Sequence, residues 1–125
     1  MPINVEAIPA SNALYYRFSG RITHDDLDSV QDVEASCFAP LGEGQCVTVI
    51  ADMSGLYTIS ASLFPRLQNL RMVRDHRVCR VIIVGANPYL RALALSLGNF
   101  NSERECIFRP AVDDALLTLE GAVSV

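Results

Sequence analysis

The chain has 125 residues, half of them apolar and 19% charged, with a net charge of −4. That balance describes one domain over residues 1–125, burying roughly two-thirds of its unfolded surface, and it excludes a disordered chain. The acidic charge offers no field for nucleic acid or an anionic membrane surface. The longest apolar runs, such as residues 81–86, fall far short of the ~20 residues of a membrane span.

The first residues, MPINVEAIP, carry no basic region ahead of an apolar stretch, so no signal peptide is expected and a cytoplasmic location is. Ile3, Val5 and Ala7 alternate weakly. Leu14, Tyr16 and Phe18 alternate strongly with Tyr15, Arg17 and Ser19, the period of a half-buried strand. Ser11-Asn12 supplies a turn between them, which predicts an antiparallel hairpin at a sheet edge.

Gly20 ends the strand. Thr23 followed by Asp26 is a capping-box variant that opens a helix, with Leu27, Val30, Val33 (or Glu34) and Cys37 on its inner stripe. Pro40 and Gly42 stop it. Asp25, Asp26, Asp28, Asp32 and Glu34 make its outer surface acidic.

Residues 46–52 form a second core strand and residues 81–85 a third. The third is apolar throughout, as a strand buried on both faces should be. A helix over residues 62–77 is predicted between them, with Pro65 tolerated in its first turn and Leu63, Leu67 and Leu70 packed inward. Asn87-Pro88 is a cap followed by a first-turn proline, so a helix spans residues 88–97 and stops at Gly98. Residues 104–109 alternate, with Cys106 and Phe108 inward. A last helix over residues 112–119 places Val112, Ala115, Leu116 and Leu119 on one face. The order is β-β-α-β-α-β-α-β-α. It predicts an α/β fold with a mostly parallel sheet, sequential strand order and an antiparallel N-terminal edge strand.

The four cysteines, Cys37, Cys46, Cys79 and Cys106, are widely spaced and never form C-x-x-C, so buried free thiols are expected. His24 and His76 have no second ligand nearby, and no metal site or cofactor is expected. No nucleophile elbow, P-loop, dinucleotide fingerprint or H-E-x-x-H occurs, so no catalytic residue is assigned and no enzyme is expected. Asp52, at a strand end, is a base without a visible nucleophile.

Residues 49–63, VIADMSGLYTISASL, resemble the signature segment of STAS domains, the family of anti-sigma-factor antagonists and sulfate-transporter tails. That pattern reads roughly D-x-S-G-[apolar]-x-x-[ILV]-D-S-S-G-L. Asp52, Ser54, Gly55, Leu56 and Ile59 match it. Ser60 stands for its aspartate, Ala61 for the serine a kinase phosphorylates, Ser62 for the second serine and Leu63 for its glycine. Weaker likenesses, around residues 18–23, 84–91 and 107–116, extend the resemblance over most of the chain. The single-domain, SpoIIAA-like branch is the nearest in pattern, and it implies a β/α superhelix that binds another protein.

For this chain the resemblance implies a non-enzymatic, bacterial interaction module whose partner is an anti-sigma-type kinase or related regulator. Its switch loop would comprise Asp52, Ser54, Gly55, Thr58, Ser60, Ala61 and Ser62. Ala61 has no hydroxyl to phosphorylate; Ser60 or Ser62 is either a helix N-cap or a substitute acceptor. Arg66, Arg74 and Arg77, at helical spacing, are a candidate docking face for an acidic partner or an anionic ligand. Their other role is a solvated helix end. Tyr89, Ala92, Leu95 and Phe100 remain apolar outside the core stripe of the third long helix and are a candidate homodimer or partner face. The alternative function is a carrier or sensor of a small apolar or lipid-like ligand, by analogy with the related fold of the CRAL-TRIO lipid carriers. A sizeable apolar cavity beneath that third helix would favour it.

Overall fold

The computed structural model describes residues 2–98 and 100–123. Strands β1 (Ile3–Ile8), β2 (Ala13–Ser19), β3 (Val47–Gly55), β4 (Val78–Val84) and β5 (Glu105–Arg109) form one sheet in the order β1-β2-β3-β4-β5. β1 pairs antiparallel with β2 across a short 3₁₀ turn, Pro9–Ser11, and every later pairing is parallel. The helices are α1 (His24–Phe38), α2 (Phe64–Leu67), α3 (Arg71–Arg74), α4 (Pro88–Leu97) and α5 (Val112–Val123). The expected fold class, strand order and antiparallel edge are those observed.

Strand alternation sorts the side chains. Leu14, Tyr16, Val49, Ala51, Val81 and Ile83 face α1 to α4 and form the larger core. Ala13, Ile50, Ile82 and Val84 face α5, where Ala115 and Leu119 cover them. Each fully buried aliphatic side chain contributes about 1.5–3 kcal/mol, so the sheet is held chiefly by these two apolar layers.

The capping box opens α1 as expected: Thr23 Oγ1 accepts the Asp26 N–H at 3.2 Å and Asp26 Oδ2 accepts the Thr23 N–H at 2.8 Å. The buried stripe keeps Leu27 and Val30, takes Glu34 of the two candidates for the third position, and ends on Phe38 in place of Cys37. It runs Leu27, Val30, Glu34, Phe38, while Val33 is 42% exposed. Glu34 therefore belongs to the core and not to the acidic outer surface. The Tyr16 hydroxyl donates to its carboxylate, and the Arg71 and Met72 N–H groups donate at 3.2 and 3.4 Å. Burial pushes the Glu34 carboxyl above its ordinary value, against the opposing pull of these donors.

The second crossover is broken where one helix was expected over residues 62–77. A 3₁₀ turn, Ala61–Leu63, runs into α2; the chain then turns extended at Leu70 before α3 begins. The cause is tertiary. Leu63, Leu67, Leu70 and Met72 are all buried. Glu34 takes up the first two amides of α3, which would otherwise bond within a continuous helix. At the last helix, Leu116 is 38% exposed, so the inner face is carried by Ala115 and Leu119.

The cysteine expectation fails for one pair. Cys46 and Cys79 form a disulfide, with Cα atoms 5.4 Å apart, joining the starts of β3 and β4. Cys37 and Cys106 are free and half-buried, and burial pushes the Cys106 thiol up to about 11.

Arg104 is a buried cation. Its guanidinium donates to the carbonyls of Val73, Asp75 (2.7 Å), Val78 (3.0 Å) and Gly98 (3.3 Å), so it ties the α3–β4 turn to the end of α4. Burial lowers its pKa.

Candidate interaction site

The D-x-S-G segment lies at the C-terminal end of β3, the end of an open parallel sheet where sites gather. Asp52 is buried and fully engaged. One carboxylate oxygen accepts the Ser54 N–H at 3.0 Å and the Ser54 hydroxyl at 2.6 Å; the other accepts the Tyr15 hydroxyl at 3.1 Å. Burial first, then the Asp52 charge, raises the Tyr15 pKa. Asp52 thus shapes the turn.

Glycine is required here by close approach. A Cβ on Gly55 would sit 2.9 Å from the Ser19 Cβ. One on Gly85, whose φ is +67°, would sit 2.7 Å from the Ser54 Cβ. These two positions let the ends of β2, β3 and β4 crowd together. Gly20 donates its N–H to the Gly55 carbonyl at 3.1 Å and closes the cluster.

The loop beyond Gly55 is anchored at both ends and bare in between. Leu56 and Ile59 are buried, whereas Tyr57, Thr58, Ser60, Ala61 and Ser62 are exposed, Tyr57 at 86%. The first turn of α4 pins this loop: Asn87 Nδ2 donates to the Tyr57 carbonyl at 2.9 Å and Tyr89 Oη to the Ile59 carbonyl at 3.0 Å. A shallow groove of about 310 Å³ lies between residues 20–22 and 57–60. Ser60 occupies the N-cap position of the 3₁₀ turn but makes no capping bond. Its hydroxyl lies 3.0 Å from that of Ser62. Ala61 opens the turn with its methyl in solvent.

The three arginines do not form the common face expected of them, because α2 and α3 are separate. Arg66 pairs with Asp28 of α1. Arg74 is exposed and, among the described residues, forms no ion pair. Arg77 turns inward. It donates to Asp75 at 3.0 and 3.1 Å and to the carbonyls of Phe38 and Leu41, and it stacks over the Phe38 ring. Burial raises the Asp75 pKa, but the hydrogen bonds and charge of Arg77 outweigh it and hold this carboxyl below its usual range.

Of the four apolar residues expected outside the core stripe of α4, Tyr89, Ala92 and Leu95 are exposed, and Phe100 turns in. Phe100 lines an apolar cavity of about 60 Å³ beneath α4, together with Met53, Ile59, Met72, Leu93 and Leu97. Sequence reasoning gave Tyr57 no role, offered Glu34 only as an alternative to Val33 on the inner stripe, and missed Arg104 and the disulfide. The flanking anchors Leu56 and Ile59 were the available signal for Tyr57.

No protein-family model matches the chain, and no curated protein matches it. Solved structures do. One is an uncharacterized protein of the DUF3478 family with a SpoIIAA-like fold, from Shewanella loihica PV-4. It has a TM-score of 0.69 and 22% identity, over 94% of this chain and 91% of that one. Another is the anti-sigma factor antagonist SpoIIAA in its unphosphorylated form. Its TM-score is 0.60 at 15% identity, over 95% of this chain and 98% of that one. The chain has the SpoIIAA-like fold. In that fold Asp52 to Ser62 form the link from β3 into the second crossover. Among the described residues no helix is long and apolar enough to cross a membrane.

Proposed function

We propose that this chain is a non-enzymatic regulatory module of the STAS type, acting in the bacterial cytoplasm by capturing a protein partner on the loop 54–62. The observation that carries this reading is Tyr57, a large aromatic side chain left in solvent between two buried anchors and held in place from α4. Exposed aromatics on pinned loops make strong interface anchors because little entropy remains to be lost on binding. Tyr89, Ala92 and Leu95 extend the same surface along α4. The partner is an anti-sigma-type kinase or a related regulator. With a methyl at Ala61, capture is not switched off by phosphorylation there.

The test is affinity capture from the native host with tagged wild-type protein and Tyr57→Asp. A regulator recovered at least tenfold less by the variant supports the reading; equal recovery overturns it. A phosphopeptide bearing phosphate on Ser60 or Ser62 would overturn the claim that the loop is unswitched.

A second reading, a carrier of small apolar or lipid-like cargo, has one observation in its favour, the cavity beneath α4. At about 60 Å³ it is well below the ~150 Å³ apolar cavity that admits benzene, so cargo would require α4 to move.

A further inference from the structure

We propose that the void beneath α4 is an effector site for a small apolar molecule, one ring or a short alkyl chain, whose entry displaces α4 and with it the loop 57–60. The proposal rests on the reading above for what the loop does, and adds how the loop is regulated.

The cavity lies between α4 and the sheet, and every residue that lines it is apolar. It is larger than the ~10–15 Å³ that one water needs, yet it offers no side chain to hydrogen-bond a water, so water gains nothing there. An apolar guest does. The lining is adaptable: Met53 and Met72 contribute two unbranched thioether side chains. Above them α4 is lightly seated. Leu90 is its one fully buried residue among those described, and Leu93, Ala94 and Leu97 are only half-buried over the void.

The size of the void makes the coupling. A ring needs more than twice the present volume, so it cannot be enclosed while α4 stays where it is. Part of the wall is the loop itself, because Ile59 lines the cavity. The Ile59 carbonyl accepts from Tyr89, and the Tyr57 carbonyl accepts from Asn87, both at the start of α4. Lifting α4 therefore either carries residues 57–59 with it or breaks those two bonds. In both cases Tyr57 is presented differently, and the guest's preference for the widened state becomes a change in partner affinity.

Benzene is the probe, titrated to its solubility limit into full-length protein carrying labelled methyl and amide groups. Saturable shifts are expected at the methyls of Ile83, Leu93 and Leu97, and in parallel at the amides of Tyr57 to Ser60. Ala94→Leu fills the void and should weaken benzene binding at least tenfold; Leu93→Phe replaces it if that variant loses its spectral dispersion. Tyr89→Phe should keep the cavity shifts and reduce those of the loop. Silent cavity methyls, or unchanged binding by the filled variant, overturn the site. Cavity shifts without loop shifts in the wild type overturn the coupling. Capture of a partner by benzene-free protein is a separate measurement, so loss of this site leaves the interaction reading standing.

Discussion

α1 and α4 cover the same face of the same sheet in opposite ways. α1 buries four consecutive stripe positions, and its one polar member, Glu34, reaches across to β2 and α3 through three hydrogen bonds. α4 buries Leu90 fully, leaves a void under Leu93 and Leu97, and is tied to the neighbouring loop at its start. The half of the molecule under α1 is locked by a satisfied polar network, where any lost partner leaves a desolvated group behind. The half under α4 has slack and borders the exposed loop. Low local stability is where moving elements are drawn from, so the difference separates a scaffold side from a working side.

The polar lock offers the most severe test of this contrast. Glu34→Ala strands the Tyr16 hydroxyl and two α3 amides in the core and should cost roughly 3 kcal/mol in urea unfolding. A cost below about 1 kcal/mol would mean that α1 is no better locked than α4. Removing the disulfide with Cys46→Ser should cost about 3 kcal/mol under oxidising conditions, since the two cysteines are 33 residues apart. Under reducing conditions wild type and variant should unfold together.

A smaller effect is the pH dependence of Glu34. Its folded pKa lies above the ordinary 4.5, so the folded state holds the proton more tightly than the unfolded chain does. Stability from this group is full below pH 4.5 and is lost as pH rises toward the folded value. Glu34→Gln should flatten that decline in a series of unfolding curves; an unchanged slope would assign it to other groups. Smallest of all, Ala94→Leu should stabilise by about 0.5–1 kcal/mol by filling the void, whereas Val30→Leu beneath α1 should destabilise. Equal signs for the two substitutions would erase the contrast.

Much of the architecture was legible in the sequence because its signals are local. Alternation in residues 14–18, the Thr23–Asp26 box and the Asn87-Pro88 pair each act within one turn, and the elements begin where those residues place them. The break after α2 was not legible. No glycine or proline marks residues 68–70; the interruption is compensated by a carboxylate 37 residues distant from Arg71 in the chain. The disulfide was hidden for a related reason. Cys46 and Cys79 become neighbours only through the parallel register that sets Val47 beside Val78. Within the candidate site, Asp52, Ser54 and Gly55 carry a recognisable pattern. The inward turn of Arg77 depended on where α1 ends, which helical spacing does not encode.

Arg104 has a consequence for the order in which the chain completes itself. It is near the C-terminal end, yet its guanidinium satisfies carbonyls of Val73, Asp75, Val78 and Gly98, all earlier in the chain. Until residue 104 is in place those carbonyls lack the guanidinium that the finished interior gives them. One side chain from the residue just before β5 is thus the keystone of a turn and a helix end that precede it in the chain.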